Sequence, residues 1–125
     1  MLRHTSGLTY NWNEDLGPMY EKANVASGLL QYDGTIGDSV KNLAALPLLF
    51  NPGDRFEYSL GVDVLGRLVE VVSGKPLDEF FRTRILEPLG MKDTYFYPPE
   101  SKVGRLRRAK WDAWRLHTPT FQIRD

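Results

Sequence analysis

The strongest constraint on how this chain folds is the run from Ser59 to Ser73. Val62, Leu65, Leu68, Val69 and Val72 recur at three- and four-residue intervals, which gathers them on one face of a helix. Ser59 stands where an N-cap hydroxyl would accept from a first-turn N–H, and Gly74 suits the left-handed residue just past the C-terminus. A second helix follows at once. Pro76 lies near its first turn, Asp78 and Glu79 sit beside its positive end, and Leu77, Phe80, Phe81 and Ile85 form its apolar face. Pro88 and Gly90 end it. Together the two runs predict a helical hairpin with its own core. Gly61 and Gly66 each cost a helix roughly 1 kcal/mol relative to alanine, so they predict close approach of another backbone.

The chain before the hairpin is punctuated by turn formers, among them Ser6-Gly7, Asn11-Trp12-Asn13, Gly17-Pro18 and Asp33-Gly34. A short helix is predicted near Met19–Ala26. Another runs from Ile36 to Leu46, capped by Thr35 and stopped by Pro47, which pushes the preceding residue out of the α region. Asn51-Pro52-Gly53-Asp54 is a turn. Arg55-Phe56-Glu57-Tyr58 alternates polar and aromatic residues, so a brief extended segment delivers Tyr58 to a surface. Residues 93–97 read as a short strand or an extended loop, ended by Pro98-Pro99. Beyond Val103 no period is evident, although Trp111 and Trp114, three apart, would share a helix face. The fold class is mainly α, with at most a short strand pair.

At 125 residues the chain makes one domain at most, and 42% hydrophobic with 26% charged residues is the composition of an ordinary globular protein. No apolar run approaches the ~20 residues of a membrane helix, and Met1-Leu2-Arg3-His4-Thr5 does not resemble a secretory signal. Without cysteine there is no thiolate chemistry, and His4 and His117 are too far apart to give metal-ligand spacing, so neither metal nor cofactor is expected. The compartment stays open. The zero net charge hides an asymmetry: residues 1–100 hold 9 Lys/Arg against 14 Asp/Glu, and residues 101–125 hold 7 against 2. A basic end attracts acidic partners, but a solvated tail over residues 105–125 is the plainer reading, and it weighs against nucleic acid as a partner.

Three segments carry a family resemblance. Leu2-Arg3-His4-Thr5-Ser6-Gly7-Leu8, then Leu48-Leu49-Phe50-Asn51-Pro52-Gly53 through Tyr58-Ser59 to Gly74, then Ile85-Leu86-Glu87-Pro88-Leu89-Gly90-Met91-Lys92-Asp93-Thr94 resemble, in order, elements of the serine β-lactamase, D,D-peptidase and carboxylesterase superfamily. The resemblance covers about residues 1–100. It implies that residues 1–104 form part of the all-helical lobe that packs beside an α/β lobe in that fold. The family's nucleophile motif, Ser-x-x-Lys, is missing. Ser6, Ser27, Ser39, Ser59, Ser73 and Ser101 are followed three residues later by Thr, Leu, Asn, Val, Pro and Gly. The family's Lys-Thr-Gly motif is missing too, and residues from Arg105 onward do not look like the family's continuation, as a truncated or shifted reading frame would explain. The chain is expected to be an incomplete helical lobe.

By this resemblance Tyr58 is the catalytic tyrosine, which shares with the motif lysine the work of activating the nucleophilic serine. A serine hydroxyl needs a base within hydrogen-bond reach, and a tyrosine of ordinary pKa ~10 serves only where its surroundings favour the phenolate. The bland alternative makes Tyr58 a half-buried ring at the end of its helix. Leu60 stands where penicillin-recognising members often carry asparagine. It has no donor or acceptor, which points toward ester hydrolysis unless it simply packs on the helix. Ser59 reads as a cap rather than a nucleophile. His4 reads as a residue bracing its loop rather than a general base, and nothing in the pattern places it near Tyr58. Tyr95, Phe96 and Tyr97 read as cover for a core edge. The expected function is therefore a piece of a serine hydrolase, carboxylesterase-like and working through an acyl-enzyme on a small ester or amide, inactive by itself. The competing readings are a non-catalytic binding module with a basic end and a gene fragment without selected function.

Overall fold

Local chemistry sets the helix boundaries first. The computed structural model describes residues 1–27 and 32–105. Asn13 Oδ1 accepts from the N–H groups of Asp15 and Leu16, turning the chain into α1, Gly17–Lys22, with Pro18 in its first turn. This helix is earlier and shorter than expected, because Asn24 takes a left-handed φ of 52° that ends it. Thr35 caps α2, Ile36–Leu43, by accepting from Asp38 N while the Asp38 carboxylate accepts from Thr35 N, a reciprocal capping box. The Thr35 hydroxyl, which donates to the same carboxylate at 2.7 Å, and then the Thr35 N–H hold the Asp38 carboxyl below its ordinary pKa.

The longest helix is α3, Gly61–Ser73, ended as expected by Gly74 at φ 67°. The expected Ser59 cap is corrected. Leu60 precedes the first helical residue and no side chain caps α3. Leu60 is driven into the core and its N–H meets the Thr9 carbonyl at 3.4 Å. The helix thus begins two residues after Ser59, whose buried Oγ has no hydrogen-bond partner among the described residues. The second helix is α4, Leu77–Phe81, running into a wide π turn over Arg82–Leu86. Glu70 ties the hairpin together: one carboxylate oxygen accepts from Arg67 at 2.9 Å and the other from Leu77 N at 3.1 Å.

The core is not where the helical period placed it. Leu8, Leu16, Tyr20, Val25, Leu43 and Leu60 are the buried cluster, with Tyr10, Ala23, Leu46, Leu49 and Val64 packed against it. It lies among the first loops, α1, α2 and the entry to α3. In the hairpin, α3 buries only Gly61 and α4 nothing, so the expected hairpin core is corrected. Val62, Leu68, Val71 and Val72 are exposed. Gly61 does lie against the Met1 backbone, but Gly66 meets the side chains of Leu77 and Ile36 rather than a backbone.

Residues 1–94 form one compact unit. A second unit begins at Tyr95, and its described part holds α5, Glu100–Val103, with Lys102 Nζ donating to the Tyr95 hydroxyl at 2.6 Å. Among the described residues the secondary structure is helical, and no strand forms over residues 93–97, where a turn and a bend occur instead. Tyr95, Phe96 and Tyr97 are exposed. Trp111, Trp114 and the basic tail beyond Arg105 lie outside the described residues.

Candidate functional site

Two loops distant in sequence are sewn together by their backbones. Leu49 N–H donates to Gly7 O, Gly53 N–H to Thr5 O and Glu57 N–H to His4 O, each at 2.8 Å. The fit is tight enough to dictate a residue. Gly7 has φ +80°, and a Cβ there would collide with the Phe50 carbonyl oxygen. His4 also holds a positive φ, 53°, which its two backbone hydrogen bonds, to Met1 O and from Glu57 N, support. Thr9, buried between the loops, donates to the Glu57 carboxylate at 3.4 Å.

The seam assembles a row of rings. Phe56 meets His4 edge-on with centroids 5.8 Å apart, and His4 lies 4.7 Å from Tyr58. Tyr58 in turn lies 5.6 Å from Tyr10, and Tyr10 stacks on Trp12 at 4.0 Å with the planes only 14° apart. These spacings are those of favourable aromatic pairs. Tyr58 is 61% exposed, so the extended run does deliver it to a surface, and it is not the half-buried ring of the bland alternative.

Tyr10 and Tyr58 are electrostatically linked. Burial pushes the Tyr10 phenol above its ordinary pKa, and the Tyr58 and Asp63 charges and a side-chain hydrogen bond with Tyr58 push the same way. Tyr10 is therefore a neutral phenol at physiological pH. Asp63, in the first turn of α3, has its carboxyl raised by burial, against a lowering contact from its own backbone N–H. It borders a cleft of ≈ 190 Å³ lined by Tyr32, Ile36, Val40, Leu43 and Val64.

Of the residues singled out from sequence, Tyr58 and His4 are brought together, which the pattern of residues did not foretell. The loop is held through the His4 backbone, but the buried His4 Nδ1 has no hydrogen-bond partner among the described residues, so the expected side-chain brace is not formed. Ser59 is fully buried, and Leu60, 2% exposed, packs in the core and forms part of the wall of the cleft that Asp63 borders. Tyr10, Trp12 and Asp63 were missed. Tyr10 and Trp12 lie on a turn closed by Asn13 N–H donating to Tyr10 O at 3.1 Å, and the period of the sequence carries no signal for such a pair. Among the described residues no group of three His, Cys, Asp or Glu side chains is placed to hold a metal ion, and no helix is long and apolar enough to cross a membrane.

Comparison with known proteins places this geometry in a family. The chain is 38% identical over 100 residues to the esterase EstB of Burkholderia gladioli, covering 80% of this chain and 26% of that protein. It is 37% identical over 110 residues to the lovastatin esterase of Penicillium rubens, covering 86% and 26%. Among solved structures it resembles EstCE1, a hydrolase with promiscuous acyltransferase activity, with a TM-score of 0.72 and 36% identity over 81% of this chain and 26% of that one. The chain thus spans about a quarter of the length of the curated relatives it matches. The Beta-lactamase family profile matches residues 1–120, and the chain belongs to that family.

Proposed function

We propose that this chain supplies the tyrosine-bearing part of a carboxylesterase-type serine hydrolase, with Tyr58 as the proton carrier. The carrying observation is the Tyr10–Tyr58 pair at the surface. Tyr10 lies beside Tyr58, ring centroids 5.6 Å apart, and burial keeps it a neutral phenol that can offer its hydroxyl to that neighbour. Tyr58 as phenolate accepts the proton of a serine hydroxyl as that oxygen bonds to the ester carbonyl carbon. It then gives the proton to the departing alkoxide as the carbon–oxygen bond breaks, leaving an acyl-enzyme that water hydrolyses. Small esters are the substrate class, in keeping with relatives that are named esterases. Since the chain carries no Ser-x-x-Lys, it is inactive by itself.

The test is a chimera in which residues 1–100 replace the matching segment of the Burkholderia gladioli esterase. Hydrolysis of p-nitrophenyl butyrate should survive the graft and fall by roughly 10²–10⁴ in kcat with Tyr58→Phe, the range for losing a general acid–base group. Undiminished kcat in that variant overturns the role of Tyr58. The isolated chain should take no label from a fluorophosphonate, and labelling would show a nucleophile that the reading denies.

A further inference from the structure

The His4 backbone is pinned on both sides. Its N–H donates to Met1 O and its carbonyl accepts from Glu57 N–H, each at 2.8 Å. The second bond sets the register of the seam, because Glu57 is the residue before Tyr58. The imidazole is thereby brought against the rings on either side of Glu57, 5.8 Å from Phe56 and 4.7 Å from Tyr58. The contact with Tyr58 is also closer than the 5.6 Å between Tyr58 and Tyr10, whose own ring is stacked on Trp12.

Position 4 does not ask for a large side chain. Its φ of 53° lies in the left-handed region, which glycine enters without strain and in which Gly7 also stands, at 80°. Hydrogen bonding at Nδ1 does not account for the imidazole either, since that buried atom has no partner among the described residues. What the side chain does reach is other rings. Tyr58 has need of such a neighbour. A side chain 61% exposed hops among staggered rotamers within nanoseconds unless something holds it, whereas a proton carrier acts only from within hydrogen-bond reach of the oxygens it serves.

We propose that His4 is a positioning residue for Tyr58: its imidazole ring holds the tyrosine in one rotamer, the one from which the phenol oxygen exchanges its proton. The proposal rests on the reading of Tyr58 as the proton carrier. Tilted rings 4.7 Å apart attract one another beyond the area they cover, and that preference is lost in any rotamer that swings the phenol away. His4 takes no part in the proton transfer and acts only through the orientation of Tyr58.

The experiment begins with the full 125-residue chain. The Tyr58 Hα–Hβ couplings, measured by NMR, should report a single χ1 rotamer. His4→Asn, which tolerates a left-handed φ and carries no aromatic ring, should average them, and His4→Gly should do the same. A mere brace of the loop would show itself elsewhere, as faster amide exchange at Leu49 and Gly53, whose N–H groups cross the seam. Those two amides should keep their protection in both variants. Couplings that stay unchanged, or that average only together with loss of seam protection, overturn the proposal. In the chimera with the Burkholderia gladioli esterase, His4→Asn should lower kcat roughly three- to ten-fold and leave KM unchanged, the loss of rotamer population that one aromatic pair allows. A loss that lies in KM instead overturns it as well. Tyr58→Phe separates the two claims. If that variant keeps full kcat, the proton-carrier reading falls, while averaged couplings in His4→Asn still show the ring holding Tyr58. If Tyr58→Phe loses kcat and His4→Asn keeps it, Tyr58 retains its role and His4 loses the one assigned here.

Discussion

The first sixty residues and the α3–α4 hairpin divide the work of the chain in opposite ways. The hairpin contains the longest helix and the clearest period, yet Val62, Leu68, Val71 and Val72 lie open on its surface. The earlier region is mostly loops with two short helices, yet it holds nearly all of the core, from Leu8 to Leu43. Helical period reports that a face is apolar. It does not report which segment covers that face. In the loop region the covering is done by backbone hydrogen bonds between distant turns, which carry no period at all.

Substitutions on the two sides sharpen the contrast. Tyr20 is wholly buried, so Tyr20→Ala should cost about 3–5 kcal/mol in urea unfolding, as for other large aromatic truncations. Val72, 79% exposed on the best helix, should change stability by no more than about 0.5 kcal/mol as Val72→Ser. Equal costs would break the comparison. Gly7→Ala forces a side chain into a left-handed residue against the Phe50 carbonyl and should cost about 1–3 kcal/mol, with loss of the Tyr10–Trp12 near-ultraviolet dichroism. Thr35→Ala removes one half of the capping box and should cost about 1 kcal/mol by the same denaturation.

The smallest effect concerns pH. Asp63 has a folded pKa above its ordinary value of 3.8, so the native state holds the proton more tightly than the unfolded chain. Its favourable contribution is complete below the unfolded pKa and is lost as pH rises through the folded one. Asp63→Asn should therefore flatten the decline in stability between that ordinary value and neutrality. A steeper decline in the variant would contradict the burial of this carboxyl.

What was legible in the sequence was local. The Thr35 cap and the Gly74 terminus depend on residues within a turn of one another, and both are as expected. Tyr58 was legible because its neighbours Asn51-Pro52-Gly53 and the following helix mark it. Ser59 was misread because its fate depends on Leu60, whose burial is decided by Leu8, Leu16 and Leu43 far away. His4, Tyr10 and Trp12 could not be placed beside Tyr58 without knowing that residues 4–9 lie along residues 49–60. The wide turn at Arg82–Leu86 likewise leaves no mark in an apolar pattern that continues through it.

The seam between the two loops has a kinetic consequence. Thr9 and Glu57, which face one another across it, are 48 residues apart in the chain. Closing so long a loop costs entropy before any ring contact compensates for it, and contacts of this separation slow folding relative to helix formation. Isolated helical turns in α2 and α3 can flicker on the sub-microsecond scale of helix–coil relaxation. The row from Phe56 to Trp12 has no such local precursor, and it comes into being only when the intervening chain has been gathered in. In a stopped-flow refolding experiment the far-ultraviolet helix signal should therefore rise ahead of the aromatic signal, which marks the moment at which the two loops are joined.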